Sequence, residues 1–270
     1  MRIDIAVPTG KMYEKLLKNK AEVENKYNAR ILAVDENKCS QLMMNNRVDA
    51  ALLNPIGYGQ GVRAADYRII PGPGLAGFYY TGLASIVFRK GLKEIETLAT
   101  PYPDDFIVRI GLQILRENYG MNPVVIEKKG SLEDIIVESD AAIIKEKTSG
   151  NEQGLDICEE WYLYTEKVLP LSMWVCRSEE YPENIIQIIK DLAEDPVEQE
   201  EIVSETFSHD DNEDKRTGKI IRHWNDEFED GLEYMLQFLF FLQFIPEIAG
   251  IKVLGRDDDG ATNKTITLGR

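Results

Sequence analysis

Short apolar segments alternate with stretches of helical periodicity along most of this 270-residue chain. Such segments are typical of buried strands, and the periodic stretches between them of helices packed on a sheet. The predicted strands are Ile3–Val7, Ile31–Val34, Asp49–Leu53, Leu83–Phe88, Leu98–Thr100, Val124–Glu127, Ala141–Ile144, Leu155–Cys158 and Leu171–Cys176. This order predicts an α/β fold with mixed, mostly parallel sheets, and a hydrophobic content of 43 % is enough to build a core.

Two consecutive blocks of strands and helices are followed by a helical C-terminal region, which predicts two lobes joined by two chain crossings. We expect residues 1–86 and 176–270 to form lobe 1 and residues 87–175 to form lobe 2. The polar tail 256–270 is the segment expected to be mobile. Ligands of open α/β sheets bind beyond the carboxyl ends of the strands, which here places a ligand in the cleft between the lobes.

Three segments have other patterns. The glycine- and proline-rich residues 57–82 predict loops and turns, and the charged residues 208–218 predict a surface loop. From Ile221 onwards, apolar residues at spacings of three or four predict a long helix. Beyond Met235 this helix is apolar all round, so it is either buried or docks another subunit in a homo-oligomer.

Charge and composition exclude several classes of function. The chain has 47 acidic and 31 basic residues and a net charge of −16, which argues against binding to nucleic acid or to an anionic membrane. Its longest apolar stretch, Tyr234–Ile245, is too short to span a bilayer, so no membrane insertion is expected. The chain start MRIDIAVPTGK lacks the pattern of a secretory signal, and a cytoplasmic location is therefore the expectation.

Few residues are suited to binding a metal or a cofactor. The three cysteines are far apart and include no CxxC pair, which favours buried reduced thiols in preference to disulfides or zinc. Only two histidines, His209 and His223, are present, and neither follows a predicted strand. We expect no metal site and no cofactor.

The residues just beyond the predicted strands are the candidate ligand contacts. They are Thr9, Gly10, Lys11, Asn54, Ser85, Thr100, Tyr102 and Lys145. Hydroxyls, an amide, glycine backbone and two lysines are suited to holding a small carboxylate by hydrogen bonds. Each also has a plain structural interpretation: Ser85 as an ordinary strand serine, Lys11 as a solvated helix residue and Asn54 as part of a turn. No catalytic residue is assigned.

Several familiar motifs are incomplete. The sequence VPTGKM at Val7–Met12 lacks the first glycine and the final Ser/Thr of a phosphate-binding P-loop. The GYGQG sequence at 57–61 lacks the spacing of a dinucleotide-binding loop. The adjacent acids Asp104–Asp105 and Glu159–Glu160 point in different directions on a helix, which favours helix starts over a catalytic dyad.

One segment is more specific. LDICEEWYLYTEKVLPLSMWVCR at 155–177 resembles a segment of the menaquinone-biosynthesis family that includes chorismate dehydratase of the futalosine route. The matching residues are Asp156, Glu159, Glu160, Trp161, Thr165, Pro170 and Trp174. DAALLNPIGYG, LASIVF and ILRENYGMNP match further family segments in the expected order. The resemblance implies a type II periplasmic-binding-protein fold and loss of water from chorismate to give an enolpyruvyl-benzoate.

This chain also departs from the family pattern. Pro8, Thr9 and Gly10 stand where the family has Tyr-Leu-Asn, whose Asn contacts the substrate, and TPYPDD at 100–105 replaces a Ser/Thr-rich turn. Of the contacts that the resemblance implies, Ser85 is kept. A dehydratase, a catalytically silent solute-binding or sensing protein, and a scaffold that oligomerises through its C-terminal helix are therefore all left open. The sister enzyme of the same route is expected to use a histidine base, which neither histidine here is placed to supply.

Overall fold

A computed structural model describes residues 2–91, 94–145, 154–193, 201–209 and 212–256, with only the backbone described at 207–209 and 212–214. The strands are β1 Ile3–Pro8, β2 Ala29–Val34, β3 Ala50–Leu53, β4 Tyr67–Tyr79, β5 Ala84–Phe88, β6 Thr97–Thr100, β7 Val124–Glu127, β8 Ala141–Lys145, β9 Leu155–Asp156, β10 Leu169–Arg177, β11 Glu201–His209 and β12 Asn212–His223. The α-helices are α1 Lys20–Tyr27, α2 Glu36–Met44, α3 Pro55–Gly61, α4 Phe106–Tyr119, α5 Leu132–Ile136, α6 Ile157–Thr165, α7 Ile185–Leu192 and α8 Asp226–Phe241, and Lys11–Leu17 forms a 3-10 helix.

The strands form two sheets, which define two lobes. The sheet of lobe 1 has the order β11-β12-β4-β10-β3-β1-β2, and the sheet of lobe 2 has the order β7-β6-β8-β5-β9. The two-lobed α/β fold predicted from the sequence is therefore confirmed. The pairing differs from the prediction of mostly parallel sheets, because only the four ladders β1–β2, β1–β3, β6–β7 and β6–β8 of the ten between described strands are parallel.

The chain passes between the sheets in two places. The predicted lobe boundaries, 86/87 and 175/176, cut through β5 and β10, whereas each of these strands belongs entirely to one sheet. The sheets place the crossings at residues 80–83 and 157–168 instead. The buried Asp156 carboxylate connects the two crossings, since it accepts the Gly82 N–H at 2.7 Å and the Cys158 and Glu159 N–H groups at 3.0 Å each.

The glycine- and proline-rich segment 57–82 is not the loop that its composition predicts. It contains most of α3 and all of β4, including the PGPG sequence. Its glycines are positions of close approach: a Cβ at Gly61 would overlap the Tyr67 ring, and a Cβ at Gly59 would lie 2.8 Å from the Ile245 side chain. Glycine here makes room for tight packing, which composition alone does not distinguish from a turn.

Two predictions, the surface loop at 208–218 and the start of the last helix at Ile221, are also wrong. The charged segment 208–218 lies in the hairpin β11–β12 and not in a loop, although residues 210–211 are outside the described residues. The helix predicted from Ile221 starts only at Asp226, where the Asn225 side chain accepts the Phe228 N–H at 2.8 Å. The buried Ile220 and Ile221 belong to β12, which pairs with β4.

One face of helix α8 is buried within its own chain. Phe228, Leu232, Met235 and Leu239 are fully buried, whereas Phe241 at its end is 75 % exposed. This favours the core interpretation of its apolar surface, and a homo-oligomer stays a prediction. The predicted mobile tail lies almost wholly outside the described residues.

The main hydrophobic core is continuous across the two lobes. It includes Ile5 and Leu52 of the first sheet, Ile86 and Ile143 of the second, and Phe106 of α4 between them. The three cysteines, Cys39, Cys158 and Cys176, are free and buried, which confirms the prediction of buried thiols. Within the described part of the chain, none of the helices has the length and apolar character needed to cross a membrane.

Candidate functional site

The first turn of α2 places an acidic side chain between the lobes. Asp35 precedes the helix and its carboxylate accepts the Lys38 N–H at 2.7 Å, an ordinary N-cap. The next residue, Glu36, points inward and is only 8 % exposed. A buried carboxylate requires hydrogen-bond partners.

Glu36 receives these partners from both lobes. From lobe 1, the Tyr13 hydroxyl donates to Oε1 at 2.9 Å and the Asn54 Nδ2 donates to Oε2 at 2.8 Å. From lobe 2, the backbone N–H of Phe106, at the start of α4, donates to Oε2 at 2.9 Å. We call these four groups the Glu36 network. A helix N-terminus with two side-chain donors is the kind of environment in which proteins bind carboxylates.

The Glu36 network has perturbed proton affinities. Burial, followed by the nearby Asp105 charge, raises the pKa of Glu36, and the hydrogen bonds from Phe106 and Asn54 oppose this rise. Burial, together with the Glu36 charge, raises the pKa of Tyr13 well above its usual value. The Tyr13 hydroxyl therefore keeps its proton and acts as the donor.

An ion pair lies beside this network at the edge of the second sheet. Because β6 and β8 are parallel neighbours, their carboxyl ends bring Tyr102 and Lys145 together, and the Lys145 Nζ lies 4.1 Å from the centroid of the Tyr102 ring. Lys145 also pairs with Asp105, the residue that precedes α4. The Lys145 side chain is 9 % exposed, so its charge is largely shielded from water.

A cavity of about 310 Å³ has Asn54 among its lining residues. It lies between α2, the start of α3 and the start of α4, and so between the lobes. Its lining residues with polar side chains are Asn37, Ser40, Gln41, Asn54, Gln60, Asp104 and Arg109. Its volume is at the lower end of the range for small-molecule sites.

Arg109 is the basic residue among those that line the cavity. Its guanidinium donates to the Asp104 carboxylate at 3.0 Å and lies 5.9 Å from the centroid of the Phe244 ring. The Arg109 side chain is 31 % exposed and that of Asp104 is 71 % exposed. Arg109 therefore lines the cavity, while its ion-pair partner Asp104 is largely exposed to water.

The predicted contacts are distributed unevenly around this site. Asn54 lines the cavity and caps α3 by accepting the Gly57 N–H at 2.9 Å, while Tyr102 and Lys145 lie beside the Glu36 network. Thr100 is fully buried, and its hydroxyl accepts the Tyr102 N–H at 3.3 Å. Ser85 is half-buried in β5, opposite Ile144 and Asp156. That these residues contact a ligand stays a prediction.

The turn after β1 has a positioning role. Thr9, Gly10 and Lys11 are exposed, and Gly10 has a φ of 136°, which side chains rarely adopt. The Gly10 carbonyl accepts the Tyr13 N–H at 3.2 Å, so this turn leads directly to the hydroxyl that binds Glu36. Ligand contacts from Thr9, Gly10 and Lys11 stay a prediction.

Sequence reasoning missed Glu36, Tyr13 and Arg109 and set aside Asp104 and Asp105 as helix-start residues. The two aspartates do precede α4, but each has a basic partner, Arg109 and Lys145 respectively. The available signal was their position in the segment between the strand that ends at Thr100 and the helix that follows, the segment in which Tyr102 was chosen as a candidate. No group of three or more His, Cys, Asp or Glu side chains in the described ranges is arranged to hold a metal ion.

Comparisons with known proteins give structural likenesses only. No protein family model matches the chain, and no curated protein matches it. Protein AF1704 from Archaeoglobus fulgidus is 12 % identical, with 90 % of this chain and 78 % of that chain covered and a TM-score of 0.49. The periplasmic aliphatic sulphonate binding protein SsuA from Escherichia coli is 10 % identical, with 92 % and 94 % covered and a TM-score of 0.49.

A periplasmic substrate-binding protein of an ABC transporter from Coxiella burnetii is 13 % identical, with 70 % of this chain and 91 % of that chain covered and a TM-score of 0.44. We infer neither a family nor a ligand from likenesses at these scores. The class is defined by the sheets and by the cavity between them: this is a two-lobed α/β protein with an interlobe cleft.

Proposed function

We propose that this protein has a type II periplasmic-binding-protein-like fold and binds a small organic carboxylate in the interlobe cavity. The observation that carries the proposal is the cavity lining, in which Arg109 accompanies four side-chain amides. Arginine binds carboxylates through two parallel hydrogen bonds, and amides supply further donors. Such a lining would select an anion even in a chain with a net charge of −16.

Arg109 can exchange its partner at low cost. Its ion pair with Asp104 is partly exposed, and such pairs contribute about 0–1 kcal/mol. A ligand carboxylate enclosed by the cavity would be shielded from water better than the Asp104 carboxylate, and its interaction with the guanidinium would be correspondingly stronger. Binding would then release Asp104 to solvent.

The sequence resemblance favours a more specific function, with chorismate as the ligand and elimination of water as the reaction. Such an elimination depends mainly on orienting the carboxylates and polarising the leaving hydroxyl. The alternative is a solute-binding or sensing protein without chemistry. The cavity supports binding in either case.

The test is a thermal-shift and calorimetric screen of small carboxylates, including benzoate and chorismate, against the matching neutral amides. We expect at least one carboxylate to raise the melting temperature and its amide to leave it unchanged. The absence of a shift for every carboxylate, or equal shifts for acid and amide, would overturn the proposal. Incubation with chorismate, followed by chromatography, separates the two functions, because only a dehydratase produces the enolpyruvyl-benzoate.

A further inference from the structure

The Glu36 carboxylate has the environment of a bound ligand. Its partners are the hydroxyl of Tyr13, the amide of Asn54 and the first N–H of the 14-residue helix α4, at 2.8–2.9 Å. They come from both lobes and surround a side chain that is 8 % exposed. A carboxylate ligand that closes two lobes on itself would need the same set of donors.

The charges around the site leave room for only one more anion. The cavity lining and the groups around Glu36 include three acidic side chains, Glu36, Asp104 and Asp105, and two basic ones, Lys145 and Arg109. Lys145 is held by the shielded Asp105, whereas Arg109 is held by the exposed Asp104. Arg109 can therefore take a ligand carboxylate, and a second ligand carboxylate would meet Glu36 and Asp105, which have the same charge.

We propose that Glu36 is an internal carboxylate that fills the carboxylate subsite between the lobes, so that the ligand of the cavity is a monocarboxylate and not a dicarboxylate. This inference rests on the proposed binding of a small carboxylate and names the class of that ligand. Because chorismate carries two carboxylates, the inference argues against chorismate as the ligand and favours the solute-binding alternative over the dehydratase. Asn54 connects the Glu36 subsite to the ligand cavity, because its side chain both donates a hydrogen bond to Glu36 and lines the cavity. Glu36 thus sets specificity by occupying a position that a second ligand carboxylate would need.

The unmodified protein provides the first test. Benzoate and benzene-1,3-dicarboxylate share a ring and differ by one carboxylate, so calorimetry on the two isolates the effect of the second charge. We expect the dicarboxylate to bind at least tenfold more weakly. Equal or tighter binding of the dicarboxylate would overturn the inference.

The second test removes the internal carboxylate. In Glu36→Ala the donors of Tyr13, Asn54 and Phe106 lose their acceptor, and acetate can take its place. We expect acetate at about 50 mM to raise the melting temperature of Glu36→Ala by several degrees relative to equal sodium chloride, and to leave the unmodified protein unchanged. No selective effect of acetate on this variant would overturn the subsite.

A matched control tests whether acetate raises the melting temperature of any variant in which a hydrogen-bonded glutamate is replaced by alanine. Glu24 also accepts a backbone N–H, that of Ile31 at 2.9 Å, but from its own lobe. Acetate should leave the melting temperature of Glu24→Ala unchanged, and an equal response in this control would count against the subsite.

If Glu36→Ala does not fold, Glu36→Gln keeps the volume and removes the charge. In this variant the tenfold preference for benzoate should narrow, and an unchanged preference would contradict the role of the Glu36 charge. The two levels of the proposal fail differently. A wild-type protein that binds neither acid overturns the proposed function and its ligand class together, whereas binding of both acids with equal affinity overturns only the inference.

Discussion

The backbone N–H of Phe106 donates a 2.9 Å hydrogen bond to the Glu36 carboxylate across the boundary between the two lobes. The two residues are 70 positions apart in the chain. Because Phe106 begins α4, this contact directs the positive end of the helix dipole at a buried acid. The contact therefore joins the two lobes directly.

Ionisation of Glu36 should make stability depend on pH. The folded-state pKa of Glu36 is raised by burial and by the Asp105 charge. The contribution of Glu36 to the free energy of unfolding is therefore present below about pH 4.5 and is lost as the pH rises through the folded-state pKa. Lys145 and Tyr13 also face this group and moderate the change. We expect the free energy of unfolding of the wild type, minus that of Glu36→Gln, to fall as the pH rises above about 4.5. Urea unfolding measures it, and a difference that stays constant or rises would contradict the raised pKa.

Replacing Asp156 by Asn should loosen the connection between the crossings. The carboxylate accepts N–H groups on both sides, from Gly82 and from Cys158, and an amide would turn an NH₂ group towards one of them. Burial raises the pKa of Asp156 to about 6, so the measurement is made above that pH, with the carboxylate ionised. We expect Asp156→Asn to lower the free energy of unfolding by about 1–3 kcal/mol.

Asp35→Asn is the control for this substitution. Asp35 is an exposed N-cap with the single acceptor bond to Lys38, and Asn caps helices about as well as Asp. We expect a change within about 0.5 kcal/mol. If the two variants lose equal stability, the hydrogen bonds of the Asp156 carboxylate to the two crossings do not stabilise the fold more than an ordinary N-cap does.

Arg109→Gln should weaken binding while leaving the fold intact. The substitution removes the positive charge from the cavity but breaks only a partly exposed ion pair with Asp104. We expect the affinity for benzoate to fall at least tenfold, equivalent to about 1.4 kcal/mol, with little change in melting temperature. The control is Arg89→Gln, which removes the ion pair between Arg89 and Asp140. This pair lies at the end of β8 that is far from Lys145, so the Arg89→Gln protein should bind benzoate with the affinity of the wild type. Equal affinities of the two variants would exclude Arg109 from the site.

Gly61→Ala tests the interpretation of the glycine-rich segment. A methyl group at this position would overlap the ring of the buried Tyr67, at the start of β4. Overpacking of this kind costs about 1–3 kcal/mol, which denaturant unfolding would detect. At Gly250 no atom of the described residues lies within 4 Å of an added Cβ, so Gly250→Ala should be nearly neutral. A neutral Gly61→Ala would show that the close approach of Tyr67 is dispensable.

Local sequence patterns determined most of the helices and strands. Asp35 before α2, Ser131 with Asp134 at the start of α5, and the apolar residues of α4 at helical spacing are patterns of neighbouring residues in the sequence. In the structure each pattern caps or forms the corresponding helix. The buried thiols followed from spacing and composition in the same way. These predictions hold because capping and periodicity act over a few residues, within the reach of a sequence pattern.

Only the tertiary structure decided the site. In the sequence Glu36 is an ordinary acid in a first helical turn, and it becomes an interlobe acceptor because the start of α4 packs over it. Likewise, the glycines of 57–82 form a helix and a strand because large side chains such as Tyr67 pack against them. In both cases the deciding partner lies elsewhere in the chain or in another element, and its position depends on how the lobes and sheets pack and not on any local propensity.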